Sequence, residues 1–325
     1  MEGRTLAMIS VVCSVALLLF AHFGYGQQTE VTKYPNRPVT FIVPLSAGSG
    51  GDLVSRLIAK EAERFLGQPI TVVNKPGGSY AIGVSAVAVS KPDGYTIGYT
   101  PVASLFITPF LEKLPYHPIK DLQRIIQFGE MNFGVAVKND SSFKSFKDLI
   151  AYARQNPRKL TYGTGAVYSS GNLAIERIAK KEGLQFTHIP FKGGSEFQAA
   201  LLGGHIHFTA GDLNHALLEA GQTRLLLLFA ESPRPEYPHT PTLKDIGYDI
   251  PYPAMTSVSG PKGLPEEIIK KLEDAFFKAM KEPAFIKGMK ELHLTIVHRS
   301  SKEAEEYVSH TYHVFEKLIR EYKSN

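Results

Sequence analysis

The 325-residue chain has one cysteine, Cys13, and no tryptophan. One thiol excludes an intrachain disulfide framework and any metal site built on several cysteines. Basic residues do not cluster: 36 Lys and Arg are dispersed among 31 Asp and Glu, for a net charge of +5. No basic block interleaves with aromatics, so a nucleic-acid partner is not expected. Catalytic signatures are missing too. No Gly-x-Ser-x-Gly elbow occurs, and AGSGGD at residues 47–52 lacks both the Gly-Lys-Ser/Thr of a phosphate loop and the spacing of a dinucleotide fingerprint. Long apolar runs are also absent after the first twenty residues, so no later membrane-crossing helix is expected.

What is present at the N-terminus sets the expected compartment. Arg4 precedes a mostly apolar run from Leu6 to Phe20, and Gly24-Tyr25-Gly26 supplies small residues before Gln27. This order reads as a signal peptide over residues 1–26, cleaved on export, and the run is short for a membrane span. Cys13 lies inside it, so the exported chain has no thiol nucleophile. The remaining chain of about 300 residues exceeds one average domain, and two lobes are the natural expectation.

The strongest internal signal is one device built twice: strand, glycine-rich loop, amphipathic helix. It runs FIVPLSAGSGGDLVSRLIAKEAERF from Phe41 to Phe65, and LTYGTGAVYSSGNLAIERIAKKE from Leu160 to Glu182. The helices even echo each other, RLIAKE at Arg56–Glu61 against RIAKKE at Arg177–Glu182. A glycine-rich loop that feeds a helix N-terminus aims unpaired N–H groups at one point, with the positive end of the helix dipole behind them. Such a terminus cradles an anion. Two of them suggest a ligand held between two facing lobes.

Elsewhere strands and helices alternate, which predicts parallel α/β sheets. Strands are expected at Val39–Pro44, Pro69–Asn74, Thr96–Thr100, Gly134–Lys138, Leu160–Gly163, Phe186–Pro190, His205–Ala210 and Arg224–Ala230. Helices are expected at Asp52–Phe65, Ser79–Ser90, Ser145–Gln155 (opened by Ser145 with Asp148 at the third helical position), Glu196–Leu202, Leu213–Ala220, Pro265–Lys281 and Ser301–Tyr322. The first helix should turn Leu53, Leu57, Ile58, Ala62 and Phe65 to the core. Two clusters of strand–helix units predict a discontinuous first lobe, residues 27–129 plus 228–325, with residues 130–227 inserted as the second.

In order along the chain stand Tyr34-Pro35-Asn36-Arg37-Pro38, VPLSAGSGGD (43–52), Leu66-Gly67-Gln68-Pro69, Val73-Asn74-Lys75-Pro76-Gly77-Gly78 and KPDGYTIGY (91–99). Then follow His188-Ile189-Pro190-Phe191-Lys192-Gly193-Gly194, LLGGHI (201–206), Arg234-Pro235 and TPTLKDIGY (240–248). In these elements the chain resembles the substrate-binding proteins of tripartite tricarboxylate transporters, the Bug or TctC-like family. The resemblance implies a two-lobed type II periplasmic-binding-protein architecture of the venus-flytrap kind. It implies a periplasmic receptor, without enzymatic activity, that takes a small organic carboxylate to inner-membrane transporter subunits. Two features depart from the family's habit. Met255–Gly260 lacks an aromatic-rich segment with Trp, and Asn172 stands where many members have His. A receptor for an ABC importer or a signalling system, or an enzyme on the same scaffold, are the competing readings.

The candidate site follows from the loops. Ser46, Ala47, Gly48, Ser49, Gly50 and Gly51 form the first cradle, small because a ligand must approach the backbone. Asp52 caps the helix or accepts a bond from a ligand donor. Thr164, Gly165, Tyr168, Ser169, Ser170 and Asn172 form the second, where neutral donors replace ion pairing. Ser79, Thr100, Ser104, Lys192 and Asp212 sit on loops that border the same cleft. The contrast between Asp52 and the hydroxyl-rich second cradle with Asn172 is expected to choose the ligand. His205-x-His207 would share one strand face but has no third ligand nearby, so neither a metal nor a cofactor is expected. The protein is expected to act as a monomer.

Overall fold

The structure, a computed structural model, describes residues 34–323 except Ala166, Lys192, Gly193, Glu231 and residues 249–251. The expected signal peptide, with Cys13, lies outside the described residues. Among the described residues no helix is long and apolar enough to cross a membrane.

Among the described residues ten strands form two five-stranded sheets. In the first, β1 (Val39–Val43), β2 (Ile70–Asn74) and β3 (Thr96–Tyr99) are parallel. A late strand, β10 (Met255–Pro261), lies antiparallel between β3 and β4 (Leu122–Glu130). In the second, β6 (Thr161–Thr164), β7 (Thr187–Pro190) and β8 (Phe208–Asp212) are parallel. There β5 (Phe133–Lys138) lies antiparallel between β8 and β9 (Thr223–Leu228). The orders are β2-β1-β3-β10-β4 and β7-β6-β8-β5-β9. The repeat seen in the sequence is therefore a repeat of whole sheets: three parallel strands, one inserted antiparallel strand, one edge strand.

The helices are α1 (Gly50–Leu66), α2 (Ala81–Ala88), α3 (Val102–Phe106), α4 (Thr108–Leu111), α5 (Phe146–Gln155), α6 (Ser170–Glu182), α7 (Gly194–Leu202), α8 (His215–Glu219), α9 (Glu266–Ala279), α10 (Pro283–Glu291) and α11 (Ser301–Lys323). Strand periodicity divides β1 between two cores. Val39, Phe41 and Val43 pack with Val54 and Ile58 of α1 and Phe276 of α9. Ile42 faces the other way, toward Val84, Phe106, Val308 and Phe315. The second sheet has its own core around Val135, Tyr162, Ile175, Phe208 and Leu227.

Ser145 caps α5 through a reciprocal pair with Asp148, as its spacing predicted. Four readings need correction. Leu53 and Phe65 of α1 are exposed; the buried stripe runs through Val54, Ile58, Ala59, Ala62 and Leu66, one position round the helix. The strand expected at His205–Ala210 is displaced to Phe208–Asp212, so His205 and His207 share no strand face. Strands β4 and β10 and helix α10 carry no expectation from sequence. Last, the chain leaves the first sheet after Glu130 and returns to it later than the expected crossing near Leu227. Phe229, Leu243, Tyr248 and Tyr252 all pack into the second core, and the chain rejoins the first sheet at Met255.

Candidate functional site

The two glycine-rich loops are built alike down to single atoms. In the first, the Ser49 Oγ accepts from the Asp52 N–H at 3.4 Å, and the Gly48 N–H donates to Asp52 Oδ2 at 2.9 Å. In the second, the Ser169 Oγ accepts from the Asn172 N–H at 3.3 Å, and the Tyr168 N–H donates to Asn172 Oδ1 at 2.9 Å. Gly48 and Tyr168 both have positive φ, 80° and 61°. Each helix then has glycine at its second position because a strand end presses against it. A Cβ on Gly51 would collide with Leu45 Cδ1, and one on Gly171 would collide with the Ala210 carbonyl oxygen. The first-turn N–H groups of an α-helix have no intrahelical acceptor, so those of Gly50 and Gly51, and of Ser170 and Gly171, stand at the mouths of the loops.

Asp52 and Asn172 point inward. The Asp52 carboxylate is buried and also accepts from Arg56 Nε at 3.0 Å and from Asn74 Nδ2 at 2.8 Å. Burial raises its pKa, but the bonds from Arg56, Asn74 and Gly48 outweigh that and hold it below the usual carboxylate value. Asn172 Nδ2 donates to the Tyr162 hydroxyl at 2.7 Å, which donates to Glu176 at 2.7 Å. An acid suits the first loop because its neighbours are donors. An amide suits the second because one end must accept and the other donate. The expected contrast between Asp52 and Asn172 is therefore an interior one.

Asp212 is different. It ends β8 and, with Gly50 of α1, lines a crevice of about 100 Å³ that Met131, Asn132, His215 and Leu294 help to enclose. Its side chain is exposed to the crevice, and among the described residues nothing donates a hydrogen bond to its carboxylate. Surrounding protein still desolvates it, and that pushes its pKa up. Its charge also reaches three tyrosines: Tyr80 at the start of α2, Tyr99 at the end of β3, and Tyr252 of the segment packed on the second core. Burial first, and the nearby Asp212 after it, raise the phenol pKa values of Tyr80 and Tyr252. For Tyr99, burial and Tyr80 come before Asp212. The Tyr252 hydroxyl is buried beside Ser170.

The remaining expected residues divide. Ser46, Ala47, Gly48 and Gly50 are exposed at the first loop, and Gly165, Tyr168, Ser169 and Ser170 are half-buried at the second. Tyr168 and Leu173 share an apolar cluster with Tyr80 and Ala81 at the start of α2. Three expected contacts are internal in the structure. Thr100 is fully buried and bonds Ser257 and Ser259, Ser104 bonds the Pro101 carbonyl, and Thr164 bonds His188. Ser79 donates to Glu112 on the rim. Lys192 lies outside the described residues. His207 bonds Thr161, and among the described residues no group of three or more His, Cys, Asp or Glu could hold a metal. Sequence reading missed His215, which reaches the crevice through packing and carries no loop or motif signal.

On the opposite wall, His215 and His293 stack face to face with ring centroids 4.2 Å apart. Tyr237 hydrogen-bonds His215, and Glu219 lies 3.8 Å from His293. Burial, then His293, lowers the His215 pKa to about 4. Behind this wall, Glu130 at the end of β4 takes Arg299 at 3.2 Å and is ion-paired with the buried Arg234 of the returning segment.

Two five-stranded sheets of one topology make this a two-lobed periplasmic solute-binding fold. A Polaromonas TctC solute-binding protein superposes with a TM-score of 0.79 at 27% identity, over 89% of this chain and all of that one. An R. palustris protein solved with adipate has a TM-score of 0.74 at 28% identity, over 89% and 98% of the two chains. The chain belongs to the tripartite tricarboxylate transporter receptor family, whose model matches residues 54–323. It is 35% identical to the UPF0065 protein in the gbd 5' region of Cupriavidus necator, over 87% of each chain. It is 28% identical to Protein BugT of Bordetella pertussis, over 88% of this chain and 87% of that protein.

Proposed function

We propose that this protein is an exported, non-catalytic receptor that holds a small organic carboxylate between its two lobes and delivers it to a tripartite transporter of the inner membrane. The observation that carries the reading is the doubled helix terminus. Gly50–Gly51 and Ser170–Gly171 each offer first-turn N–H groups at the positive end of a helix, held in place by an internal Asp or Asn. Family membership and the adipate bound to a similar structure support a carboxylate as the anion. Neutral donors suit a receptor that must release what it binds. Closure of the lobes around the ligand would present one joined surface to the transporter.

A thermal-shift screen of the ligand-free protein against carboxylates, aromatic acids and amino acids tests this. One or a few carboxylates should raise the melting temperature and be recovered unchanged. Stabilisation by nucleotides or metals alone, or turnover of the bound compound, contradicts the reading. Gly50→Val and Ser170→Val should each weaken binding and leave the fold intact. Unchanged affinity in both would remove these loops from the site.

A further inference from the structure

One contact between the lobes is made by two groups that titrate. His215 opens α8, which packs on β9 of the second sheet. His293 follows α10 in the first lobe, between Leu292 and the core residue Leu294. The two imidazoles lie parallel, with 3° between their planes and centroids 4.2 Å apart. They stand at the edge of the crevice that His215, Leu292 and Leu294 line. Both are held in place. Tyr237, in one apolar cluster with Leu213 of the second lobe, hydrogen-bonds His215 Nδ1. Asn132 Nδ2, at the first crossing, donates to the His293 carbonyl oxygen at 2.9 Å. His293 has a φ of 54°, a left-handed conformation that is costly for a non-glycine residue and persists only where its surroundings hold it.

We propose that the His215–His293 stack is an acid-released latch between the lobes, which holds the cleft shut while His215 is neutral and frees it when His215 takes a proton. The closed cleft disfavours that proton for two reasons. The stack takes the ring out of water, and a second imidazole lies flat against it. Separation of the lobes returns His215 to water and to the ordinary histidine range, so the open form binds the proton better and falling pH favours it. The groups that face the pair keep this direction. Glu219 stands 3.8 Å from His293 Nε2, on the far ring of the stack. Tyr237 is held as a neutral phenol by burial, then by Glu236 and Glu219, and Glu236 itself accepts from Thr295 at 3.2 Å. Asp212 lines the same crevice, and burial raises its pKa, so acid neutralises it and favours closure, the opposite sign. The latch goes beyond the carboxylate reading and does not depend on it. Whatever the cleft holds is held less firmly in acid.

The test needs no ligand. Past residue 26 the chain has no cysteine, so Lys60→Cys on α1 and Lys180→Cys on α6, both exposed, place one spin label on each lobe. Double electron–electron resonance from pH 7.5 to pH 4.5 reads the distance between the lobes, and circular dichroism confirms the fold at each pH. The ratio of short to long distances should fall about tenfold between pH 7.5 and pH 5, given a His215 pKa of about 4 in the stack and 6.5 in water. In His215→Gln the ratio should change by about twofold or less over the same range. His293→Gln, which removes one face of the stack, should shrink the change as well. A distance that does not move while the protein stays folded overturns the proposal, as does a change of full size in either variant. Closure in acid also overturns it, because Asp212 would then govern the cleft. Each of these outcomes leaves the carboxylate reading standing.

Discussion

At the scale of single residues, Gly51 and Gly171 occupy equivalent helix positions but answer to different neighbours. A methyl at Gly171 meets the Ala210 backbone carbonyl, which cannot move without disturbing β8. At Gly51 the main obstacle is the end of the Leu45 side chain, which can turn away, with Tyr99 behind it. Gly171→Ala should therefore destabilise by about 1–3 kcal/mol and Gly51→Ala by less, as read from denaturant midpoints. Equal losses would mean that the two loops are not set by these contacts. The partners of Asp52 and Asn172 lead to an asymmetric pair of outcomes as well. Asp52→Asn keeps an oxygen for Gly48 and Arg56 but turns its amide nitrogen onto Asn74 Nδ2, a donor against a donor, so the loss should be about 1 kcal/mol. Asn172→Asp removes the donor to Tyr162 and adds a carboxylate near Glu176, at a cost of about 1–3 kcal/mol. Urea unfolding of both variants checks the ranking.

At the scale of elements, legibility followed the purity of the periodic pattern. VTFIV at β1 and the Ser145–Asp148 cap of α5 are strong local signals, and both read correctly. LQRIIQFGE at β4 does not look like a buried strand, because Arg124 and Gln127 interrupt it. Both are nevertheless fully buried, and Arg124 bonds the Pro118 carbonyl at 2.8 Å while Glu305 stands 3.8 Å away. Only tertiary partners make that strand possible. The same holds for the site. The glycine-rich loops were visible as text, whereas His215 and Leu294 reach the crevice from segments far along the chain.

The short α8 belongs to this scale because it brings His215 onto His293. Burial and the neighbouring imidazole lower the His215 pKa from 6.5 to about 4, so the folded state favours the neutral ring. Between those values the unfolded chain binds the extra proton, and stability contributed by His215 is complete above pH 6.5 and falls as the pH drops toward about 4. Asp52, whose pKa is lowered, adds acid sensitivity below the ordinary carboxylate value of 3.8. His215→Gln should flatten the melting temperature between about pH 7 and pH 4 relative to the parent protein. Parallel curves for the two proteins would exclude this wall as a source of acid sensitivity.

At the scale of the whole molecule, the strand–loop–helix repeat turned out to be a repeat of entire sheets joined at two crossings. Glu130 ends the last strand before the first crossing, and Arg234 lies in the segment that returns through the second. Their buried ion pair ties the two crossings together, with Arg299 and Gln127 completing the bonds to the carboxylate. Arg234→Met removes one of the two cations on Glu130, which keeps Arg299 and Gln127, so it should cost about 1–3 kcal/mol. A loss of under about 1 kcal/mol in equilibrium unfolding would show that water compensates the freed Glu130 and that the pair does not hold the hinge.

The central claim is that a small carboxylate sits between two equivalent helix termini, and a crystal structure of the complex tests it most directly. The account predicts ligand carboxylate oxygens within hydrogen-bond distance of the first-turn N–H groups of α1 and α6, with Asp52 and Asn172 still turned inward. A ligand bound away from both loops, or held by Asp52 or Asn172 side chains, would contradict it.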